Sequence, residues 1–444
     1  MLDRVSLERL TNGPRLEMLT DWMHWLTSLT PTELLTILGI LLFVDGSRYA
    51  LCTASMALFD LGRWCVNWLR GARPADRYSH CPTVCVLLVG HNEGDTIEEA
   101  LASVWGRYPR LELIVVDDGS TDDMAGQARR FASDHSGVLV LSRSERGGKS
   151  SALNWGLSYT RADIVVCMDT DSRFSETAIW EIVQPFADPQ VGAVSASVEA
   201  WNAFHNLCTW LQAYEYRQTI FMGRQLAERL GTLAIVSGAF GAFRRELLER
   251  LGGWDVGPGE DGDITLRIRR QGYRIAAAPQ ARCLTNVPTT WTRLFHQRRR
   301  WDRSVVTYEC RKHLDQSFFW QRHFRWANFA VFLERWFFNI YCLCGWWAYG
   351  LWLCLLFAKD VGNLALLLYL CLLAFEFVQT LLLLSYSRTP GRDLLVSAVL
   401  PFYPLYQAFL KTADAIAIVE EILFRRSKQD NFVPAKVRDV TWHW

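Results

Sequence analysis

Hydrophobic residues are distributed unevenly along the 444-residue chain, and their pattern divides it into three parts. Apolar runs occupy residues 34–61, 336–358 and 364–384, each long enough to cross a bilayer, which takes about 20 helical residues. Residues 81–290 instead alternate short apolar runs with amphipathic helical segments. This alternation is typical of an α/β domain with a largely parallel sheet. The pattern therefore predicts one α/β domain between membrane helices.

The two ends of the chain carry patterns that leave two interpretations open. Residues 1–30 are mixed in polarity and predict either a helix lying on the membrane surface or a loosely packed leader, and we expect no cleavable signal peptide there. Residues 394–426 contain Pro401 and Pro404, which interrupt a membrane helix. This last region is predicted to be partly re-entrant or interfacial.

The predicted first span contains Asp45 and Arg48, which are spaced to pair on one helix face. Charges at that depth form either a simple paired anchor or part of a polar path. The span is followed by Arg63, Arg70, Arg73 and Arg77. Because basic residues favour the cytoplasmic side of a membrane, this end of the span is predicted to face the cytoplasm.

Within the α/β region, acidic residues stand where apolar strands end. The run 164–168 is followed by Asp169-Thr170-Asp171, and residues two apart on an extended strand share one face. Ligands bind at the carboxyl ends of strands in open α/β sheets, and two carboxylates there suit Mg²⁺ or Mn²⁺ bridging to phosphates. Taken alone, the pair is equally compatible with a loop or a helix cap.

Asp117 and Asp118 follow a second apolar strand, residues 113–116. They predict either acceptors for a ribose or base, or a solvated acidic turn. The segment Gly147-Gly148-Lys149-Ser150 resembles the end of a phosphate loop, although Arg143 stands where that motif needs its first glycine. A lysine backed by glycines and preceding a helix can still meet a diphosphate.

Three later segments carry further candidates. Small residues at 237–241 allow a sugar to approach the backbone closely, and Gly259-Glu260-Asp261 is a turn with two acids. Gln297, Arg300 and Trp301 share one helical face, where the guanidinium suits a diphosphate and the indole a sugar face. The alternative for this basic run is contact with lipid phosphates.

Composition narrows the function classes. The formal net charge is +1, so bulk electrostatics gives no indication of nucleic-acid binding. The 12 cysteines lack the paired spacing of a zinc site and are predicted to be reduced, small hydrophobic residues.

Four signals in this order resemble the motif set of the processive family 2 glycosyltransferases: Asp117-Asp118-Gly119, Asp169-Thr170-Asp171, Gly259-Glu260-Asp261 and Gln297-Arg298-Arg299-Arg300-Trp301. That family includes cellulose, chitin, hyaluronan and poly-N-acetylglucosamine synthases. The resemblance implies an α/β GT-A glycosyltransferase domain with a Rossmann-like sheet, inserted between transmembrane helices that form a channel. It also implies an inverting hexosyltransferase that polymerises a UDP-sugar into an extracellular polysaccharide.

The resemblance implies a role for each matched residue. Asp261 would be the catalytic base. The nucleotide and donor would be bound by Asn92, Glu93, Asp117, Asp118, Lys149, Asp169, Gln297 and Arg300. The acceptor would be bound by Ser237, Gly238, Phe240, Glu260 and Trp301, and the metal, Mg²⁺ or Mn²⁺, by Asp169 and Asp171.

The same comparison suggests the organisation of the chain. We predict a leader (1–30), a transmembrane helix (31–62), the catalytic domain (81–290), interface helices (291–326), transmembrane or interfacial helices (327–426) and a tail (427–444). The protein is predicted to be a multi-pass protein of the plasma (inner) membrane with a cytoplasmic catalytic domain. Expected partners are a UDP-sugar, the growing polysaccharide, membrane lipid and, because the spans are few for a channel, a small membrane subunit or a second copy.

Three questions stay open from sequence. The segment beginning at Ser237 is most similar to the poly-N-acetylglucosamine synthases, whereas Gly259-Glu260-Asp261 is closer to the chitin and hyaluronan relatives, so UDP-N-acetylglucosamine is favoured and UDP-glucose comes next. A non-processive transferase adding one sugar to a lipid shares much of the motif set. A non-catalytic membrane scaffold is the remote alternative.

Overall fold

The computed structural model describes residues 14–41, 51–70, 78–255, 259–322, 324–429 and 434. The predicted Asp45–Arg48 pair lies outside the described residues, as do Arg73, Arg77, residues 1–13 and most of the predicted tail.

An eight-stranded mixed sheet forms the centre of the α/β region. Its strands are β1 (Val84–Gly90), β2 (Leu111–Asp118), β3 (Val138–Arg143), β4 (Ile164–Asp169), β5 (Ser172–Phe174), β6 (Val191–Ala200), β7 (Phe240–Arg244) and β8 (Arg274–Thr285). The strand order is β3-β2-β1-β4-β7-β6-β8-β5. The first four strands in this order are parallel, and β7 then runs antiparallel to both β4 and β6.

The order places a switch point beside β1. The chain adds β2 and β3 on one side of β1 and then returns to add β4 on its other side. Ligands bind at the carboxyl ends of strands next to such a reversal, because the connecting loops separate there and leave a crevice. In the register, Val89 of β1 lies opposite Asp169 of β4, and Gly90 lies opposite Asp117 of β2.

The sheet is buried on both faces, which explains its nearly continuous apolar strands. Val84, Val86 and Leu88 of β1 join one hydrophobic cluster, while Cys85 and Leu87 join another on the opposite face. The covering helices are α4 (Gly94–Val104), α5 (Met124–Asp134), α6 (Lys149–Leu157), α7 (Ala178–Val183), α8 (Leu207–Tyr216), α9 (Gly223–Arg229), α10 (Arg245–Arg250) and α11 (Glu260–Arg270).

Helices dominate the remaining parts of the chain. Before the sheet lie α1 (Pro14–Ser28), α2 (Pro31–Leu41) and α3 (Cys52–Leu69); after it lie α12 (Trp291–Thr307), α13 (Trp326–Trp336), α14 (Cys342–Leu356), α15 (Val361–Tyr386), α16 (Pro390–Ser397) and α17 (Tyr403–Phe424). Short π-helical segments extend three of these helices, at Arg217–Met222, Tyr308–Lys312 and Phe337–Tyr341.

Two described helical stretches, Trp326–Leu356 and Val361–Tyr386, are long and apolar enough to cross a membrane. A third candidate is the pair Pro390–Ser397 and Leu400–Phe424, which is bent by 41°. The bend follows from Pro401 and Pro404, which remove backbone donors at this point. The predicted span 31–62 is described only in part, as α2 and α3, and stays a prediction.

The α/β region packs directly on the helices that follow it. Leu211 and Tyr214 of α8 share a buried cluster with Val396 of α16 and Tyr406 of α17. Ion pairs reinforce the contact, since Arg217 binds Asp393 with 2.5 Å between Nη2 and Oδ2. The sheet and the apolar helices thus meet through a fixed interface, and the site lies at this junction.

Candidate active site

The carboxyl ends of β1 and β4 form the floor of the site. Gly90 ends β1 where the loop after β4 passes so closely that a side-chain carbon at position 90 would collide with Thr170. A glycine is therefore required for Asp169 and Asp171 to sit beside the end of β1. The Asp171 carboxylate accepts hydrogen bonds from the hydroxyls of Ser172 (3.2 Å) and Thr285 (3.4 Å), which orient it.

Lys149 begins α6 and brings one ammonium group among these acids. Its Nζ lies 2.6 Å from Oδ1 of Asp169 and 3.6 Å from Oε1 of Glu260. Burial alone would lower the pKa of Lys149, but the carboxylates of Asp169 and Glu260 outweigh that effect and raise it. The lysine is therefore charged and bridges the two sides of the site.

The remaining acids are not fully neutralised by that single cation. Burial and repulsion from Asp169 raise the pKa of Asp171. Burial and repulsion from Asp171 raise the pKa of Glu93. Such an excess of carboxylate oxygens fits a hard divalent cation. Among the described residues no cluster of three or more His, Cys, Asp or Glu is placed to hold a metal, so phosphate oxygens or water would complete the coordination of Asp169 and Asp171.

Asp117 and Asp118 are both buried, and protein groups already bind their oxygens. Asp117 accepts from the Ser120 backbone N–H (3.0 Å) and the Ser142 hydroxyl (2.7 Å). Asp118 accepts from Nε of Arg143 (2.6 Å) and, at 2.8 Å each, from the backbone N–H groups of Gly147 and Gly148. Asp118 thus fixes the conformation of the loop before Lys149. Arg143, which stands where a phosphate loop has its first glycine, is one of the groups that bind Asp118.

Asn92 and Glu93 occupy the turn after β1. Asn92 adopts a left-handed conformation (φ 61°), and its side-chain oxygen accepts from the Thr121 backbone N–H at 2.7 Å. This contact ties the turn after β1 to the turn after β2. Glu93 lines the cavity, whereas Asn92, which is exposed, and Asp117, which is buried, do not.

The opposite wall begins at the amino end of α11. Gly259 has a φ of 80° and precedes Glu260 and Asp261 in the first helical turn. Gly262 lies against Tyr308, so closely that a side-chain carbon there would collide with the phenol ring. The glycine lets α11 approach the end of α12, and this contact positions Asp261 in the cavity.

Helix α12 contributes Gln297, Arg300 and Trp301 to the same cavity. Arg298 also lines the cavity and binds Glu215 of α8, with 2.8 Å between Nη2 and Oε2, while its guanidinium lies over the Trp301 ring at 4.6 Å. Arg299 and Arg303 bind Glu420 of α17. Arg298 and Arg299 thus both bind protein carboxylates.

The segment around β7 divides between the cavity and the core. Ser237 and Gly238 line the cavity, where a side-chain carbon at 238 would lie 3.0 Å from Nζ of Lys149. Phe240 is fully buried and stacks on Phe174 with 3.9 Å between ring centroids. The expectation that Phe240 binds an acceptor is therefore corrected, because alternation along β7 turns its ring into the core.

These walls enclose one cavity of about 1010 Å³. Its sheet end is formed by Glu93, Lys149, Asp169 and Asp171, and Asp261 and Trp301 lie along its course. Its helix end lies between the apolar helices and is formed by Asp302, Glu376, Gln407 and Asp414. One continuous space therefore connects the acids at the sheet edge with the candidate membrane helices.

Comparison with known proteins identifies this arrangement. Residues 82–304, about half of the chain, match the family model described as glycosyltransferase like family 2. The chain belongs to glycosyltransferase family 2. It is therefore an enzyme, and its mixed sheet is that of the predicted GT-A fold.

Two relatives refine the comparison. The chain is 31% identical over 221 residues to the poly-β-1,6-N-acetyl-D-glucosamine synthase of Staphylococcus aureus (strain MSSA476), covering 49% of this chain and 53% of the relative. The synthase of the same name from Staphylococcus epidermidis is 30% identical over 221 residues, with the same coverage. The chain thus spans about half the length of the curated relatives that it matches.

A solved structure supports the fold over a longer part of the chain. The mannosyltransferase PcManGT from Pyrobaculum calidifontis, in complex with GDP-Man and Mn²⁺, superposes with a TM-score of 0.56 at 22% sequence identity. The superposition covers 87% of this chain and 99% of that one. At this identity the likeness is one of fold, and it extends beyond the region matched by the synthases.

Sequence reasoning missed several residues of this glycosyltransferase site. Arg224 lines the cavity and donates to the Ser195 hydroxyl (2.9 Å) and the Ala196 carbonyl (2.8 Å); burial lowers its pKa to about 10, against the attraction of Asp261. Glu215 of α8 also lines the cavity and binds Arg298. The sequence signal that could have identified both residues is a single charged residue inside an otherwise apolar helix.

Proposed function

We propose that this protein is a membrane-embedded, processive, inverting glycosyltransferase that polymerises a UDP-sugar, with UDP-N-acetylglucosamine favoured over UDP-glucose. The observation that carries the proposal is the continuous cavity from Asp169 past Asp261 and Trp301 to the helix end. A single-sugar transferase has no need of such a length of polar space between candidate membrane helices. The names of the relatives support N-acetylglucosamine as the sugar.

The sheet end would hold the donor. Lys149 would exchange its contact with Asp169 for the donor diphosphate, and Arg300 and Gln297 would approach the same phosphates from α12. Asp169 and Asp171 would hold Mg²⁺ or Mn²⁺, which supplies positive charge for the leaving phosphate. Asp117 and Asp118 would shape the nucleotide pocket through the turns and the loop that they bind, and Asn92 and Glu93 would complete its edge.

Asp261 would act as the general base. Its carboxylate takes the proton of the acceptor hydroxyl while that oxygen attacks the anomeric carbon of the donor. The bond between the anomeric carbon and the phosphate oxygen breaks, UDP leaves with the bonding electrons, and the configuration inverts. Trp301 would support the acceptor sugar through its indole face, with Glu260, Ser237 and Gly238 beside it.

The product would leave through the membrane helices. Because nucleotide sugars are cytoplasmic metabolites, the sheet end would face the cytoplasm, in agreement with Arg63 and Arg70 after the predicted first span. With only two or three candidate spans among the described residues, a second copy or a small membrane subunit would complete the channel.

Isolated membranes containing the full chain provide the test. UDP-N-acetylglucosamine, UDP-glucose and UDP-glucuronate are supplied singly and in pairs with Mg²⁺ or Mn²⁺, and UDP release, product size and extraction into organic solvent are followed. Long product from UDP-N-acetylglucosamine alone is the expected result. A short product that extracts with lipid would replace the proposal with a lipid glycosyltransferase, and absence of UDP release with every donor would overturn it.

A further inference from the structure

One face of the Trp301 indole, the ring proposed to support the acceptor sugar, is already covered by protein. The guanidinium of Arg298 lies over this ring, with 4.6 Å between its Cζ and the ring centroid. A flat ring has two faces, so a sugar that stacks on the indole must use the other one. Trp301 is 38% exposed and lines the cavity, so surface for a ligand remains. Arg298 therefore packs on the face that the acceptor does not use.

Arg298 is itself held in place by two other helices. Its Nη2 donates to Oε2 of Glu215 on α8 over 2.8 Å, and the hydroxyl of Tyr406 on α17 donates to the same oxygen over 2.6 Å. All three side chains are buried. Hydrogen bonds to a carboxylate are short and strong, and they fix the geometry of the groups that they join. The position of the guanidinium is thus set by α8 and α17 as well as by its own helix.

The next arginine of α12 provides a comparison. Arg299 binds Glu420 of α17, a carboxylate that also binds Arg303. The guanidinium of Arg299 lies over the ring of Phe295, at 5.2 Å, and Arg299 is outside the cavity wall. Both arginines join α12 to another helix through an ion pair, but of the two it is Arg298 that contacts the indole.

A supported indole has its binding orientation before the acceptor arrives. A tryptophan side chain has two rotatable bonds, and ordering a side chain on binding costs free energy that is saved when the protein has already ordered it. The contact with Arg298 is made whether or not an acceptor is reacting. The saving would therefore appear as a lower acceptor KM and leave kcat unchanged.

We propose that Arg298 is a positioning residue for the acceptor: held by Glu215 and Tyr406, it fixes the Trp301 indole so that the free face of the ring receives the acceptor sugar. The inference rests on the proposed function, in which Trp301 binds the acceptor. It also gives the contact of α12 with α8 and α17 a role in acceptor binding, because these helices supply the groups that hold the guanidinium.

A double-mutant cycle tests this inference in membranes containing the full chain, with saturating UDP-N-acetylglucosamine and a neutral N-acetylglucosamine oligosaccharide as added acceptor. Arg298→Leu/Glu215→Gln removes both buried charges together, since one left alone would destabilise the fold, and keeps an oxygen that accepts from Tyr406. Arg298→Lys keeps a cation for Glu215 but lacks the planar guanidinium. Each change is made with Trp301 present and in the Trp301→Ala background.

Two substitutions outside the cavity wall serve as controls. Arg299→Leu removes the neighbouring arginine of the same helix, and Glu420 keeps Arg303 as a partner. Glu246→Gln alters an exposed carboxylate on α10. Both controls are expected to leave the acceptor KM within about twofold of its original value.

With Trp301 present, the double change at Arg298 and Glu215 is expected to raise the acceptor KM about fivefold, and Arg298→Lys about threefold, because the acceptor must then order the indole itself. The kcat and acceptor-independent UDP release should stay within about twofold. In the Trp301→Ala background no indole remains to be fixed, so neither change should raise the KM more than about 1.5-fold. Arg298→Lys carries the same comparison if the double variant is not inserted into membranes.

An equal rise of the acceptor KM in both backgrounds would overturn the inference, because Arg298 would then act independently of the indole, for example by binding the acceptor itself. An unchanged KM with Trp301 present would also overturn it, as would an unchanged KM in Trp301→Ala alone. All three results leave UDP release, and with it the proposed function, standing. Failure of the unsubstituted protein to extend the acceptor or to release UDP would instead overturn the proposed function itself.

Discussion

The two ends of the cavity are built in different ways. The sheet end is formed at the carboxyl ends of adjacent strands, and its strand-end acids lie within one stretch of the chain, from Glu93 to Asp171, with Glu260 of α11 beside them. The helix end collects residues from α8, α12, α15 and α17, which are far apart in sequence. A strand end displays its residues wherever the sheet forms, whereas the helix end exists only when four helices pack together.

The two ends also differ in how their charges are balanced. At the sheet end, Lys149 is shared between Asp169 and Glu260, and the pKa values of Glu93 and Asp171 are raised by burial and repulsion. At the helix end, Arg298 binds Glu215, Arg335 binds Glu309, and the Lys411 ammonium lies over the Trp346 ring. The sheet end thus suits a cation and a charged donor, whereas the charges of the helix end are balanced within the protein.

The largest effect is expected from substitution of Asp261, which should slow sugar transfer without weakening donor binding. Asp261→Asn should lower the rate of sugar transfer by about 10²–10⁴-fold, because the amide cannot take the acceptor proton. Donor affinity should be nearly unchanged, since Lys149 and Asp169 are intact. Transfer rates and UDP binding in membranes measure the two effects, with Glu246→Gln as control, and near-normal transfer would remove Asp261 from the role of base.

The next effect isolates the sheet end. Asp171→Asn, or removal of divalent cations with a chelator, should lower both acceptor-independent UDP release and sugar transfer by about tenfold to a hundredfold. Added Mn²⁺ should restore the chelated protein but not the variant. Donor turnover that is insensitive to the chelator would contradict a metal held at Asp169 and Asp171.

A smaller and selective effect is expected where the two ends meet. Trp301→Ala should raise the acceptor KM about tenfold while acceptor-independent UDP release stays within about twofold, because one sugar-stacking face is lost. Parallel loss of both activities would indicate that the indole instead holds Arg298 and Glu215 in place.

The smallest effect concerns stability away from both ends. Burial lowers the pKa of His313, whose Nε2 lies 2.7 Å from Oδ1 of Asp263. Burial alone would raise the pKa of Asp263, but the hydrogen bond with His313 and the charge of Lys312 outweigh it and lower the pKa. A histidine with a depressed folded-state pKa is destabilising once the unfolded chain takes up a proton, so stability should fall as the pH drops below about 6.5. The melting temperature in detergent should decrease between pH 7.5 and 5.5, and less so in His313→Asn.

Much of the sheet end could be predicted from local pattern. The apolar run 113–116 lies within β2 (Leu111–Asp118), and 164–168 became β4 (Ile164–Asp169), because a buried parallel strand needs a continuous apolar run. The spacing of Gln297, Arg300 and Trp301 predicts one shared helical face, and all three residues line the cavity. Each of these predictions depends on residues that are close in sequence.

Other features could not be predicted in this way. Phe240 and Ser237 lie in one small-residue segment, and only the pairing of β7 with β4 shows that one ring enters the core while the hydroxyl faces the cavity. The hydrogen bonds from Arg143, Gly147 and Gly148 to the Asp118 carboxylate form only because the loop folds back beside β2. Neither contact has a signature in local periodicity.

The amino-acid sequence by itself determined the α/β domain, its family motifs and the apolar helices, since these follow from hydrophobic periodicity and short-range spacing. Only the tertiary structure decided that Glu215 binds Arg298, that Arg217 binds Asp393 and that one cavity joins the sheet to the helices. These contacts join residues more than eighty positions apart. Such pairings carry no periodic signal, because they are selected by the packing of whole helices against one another.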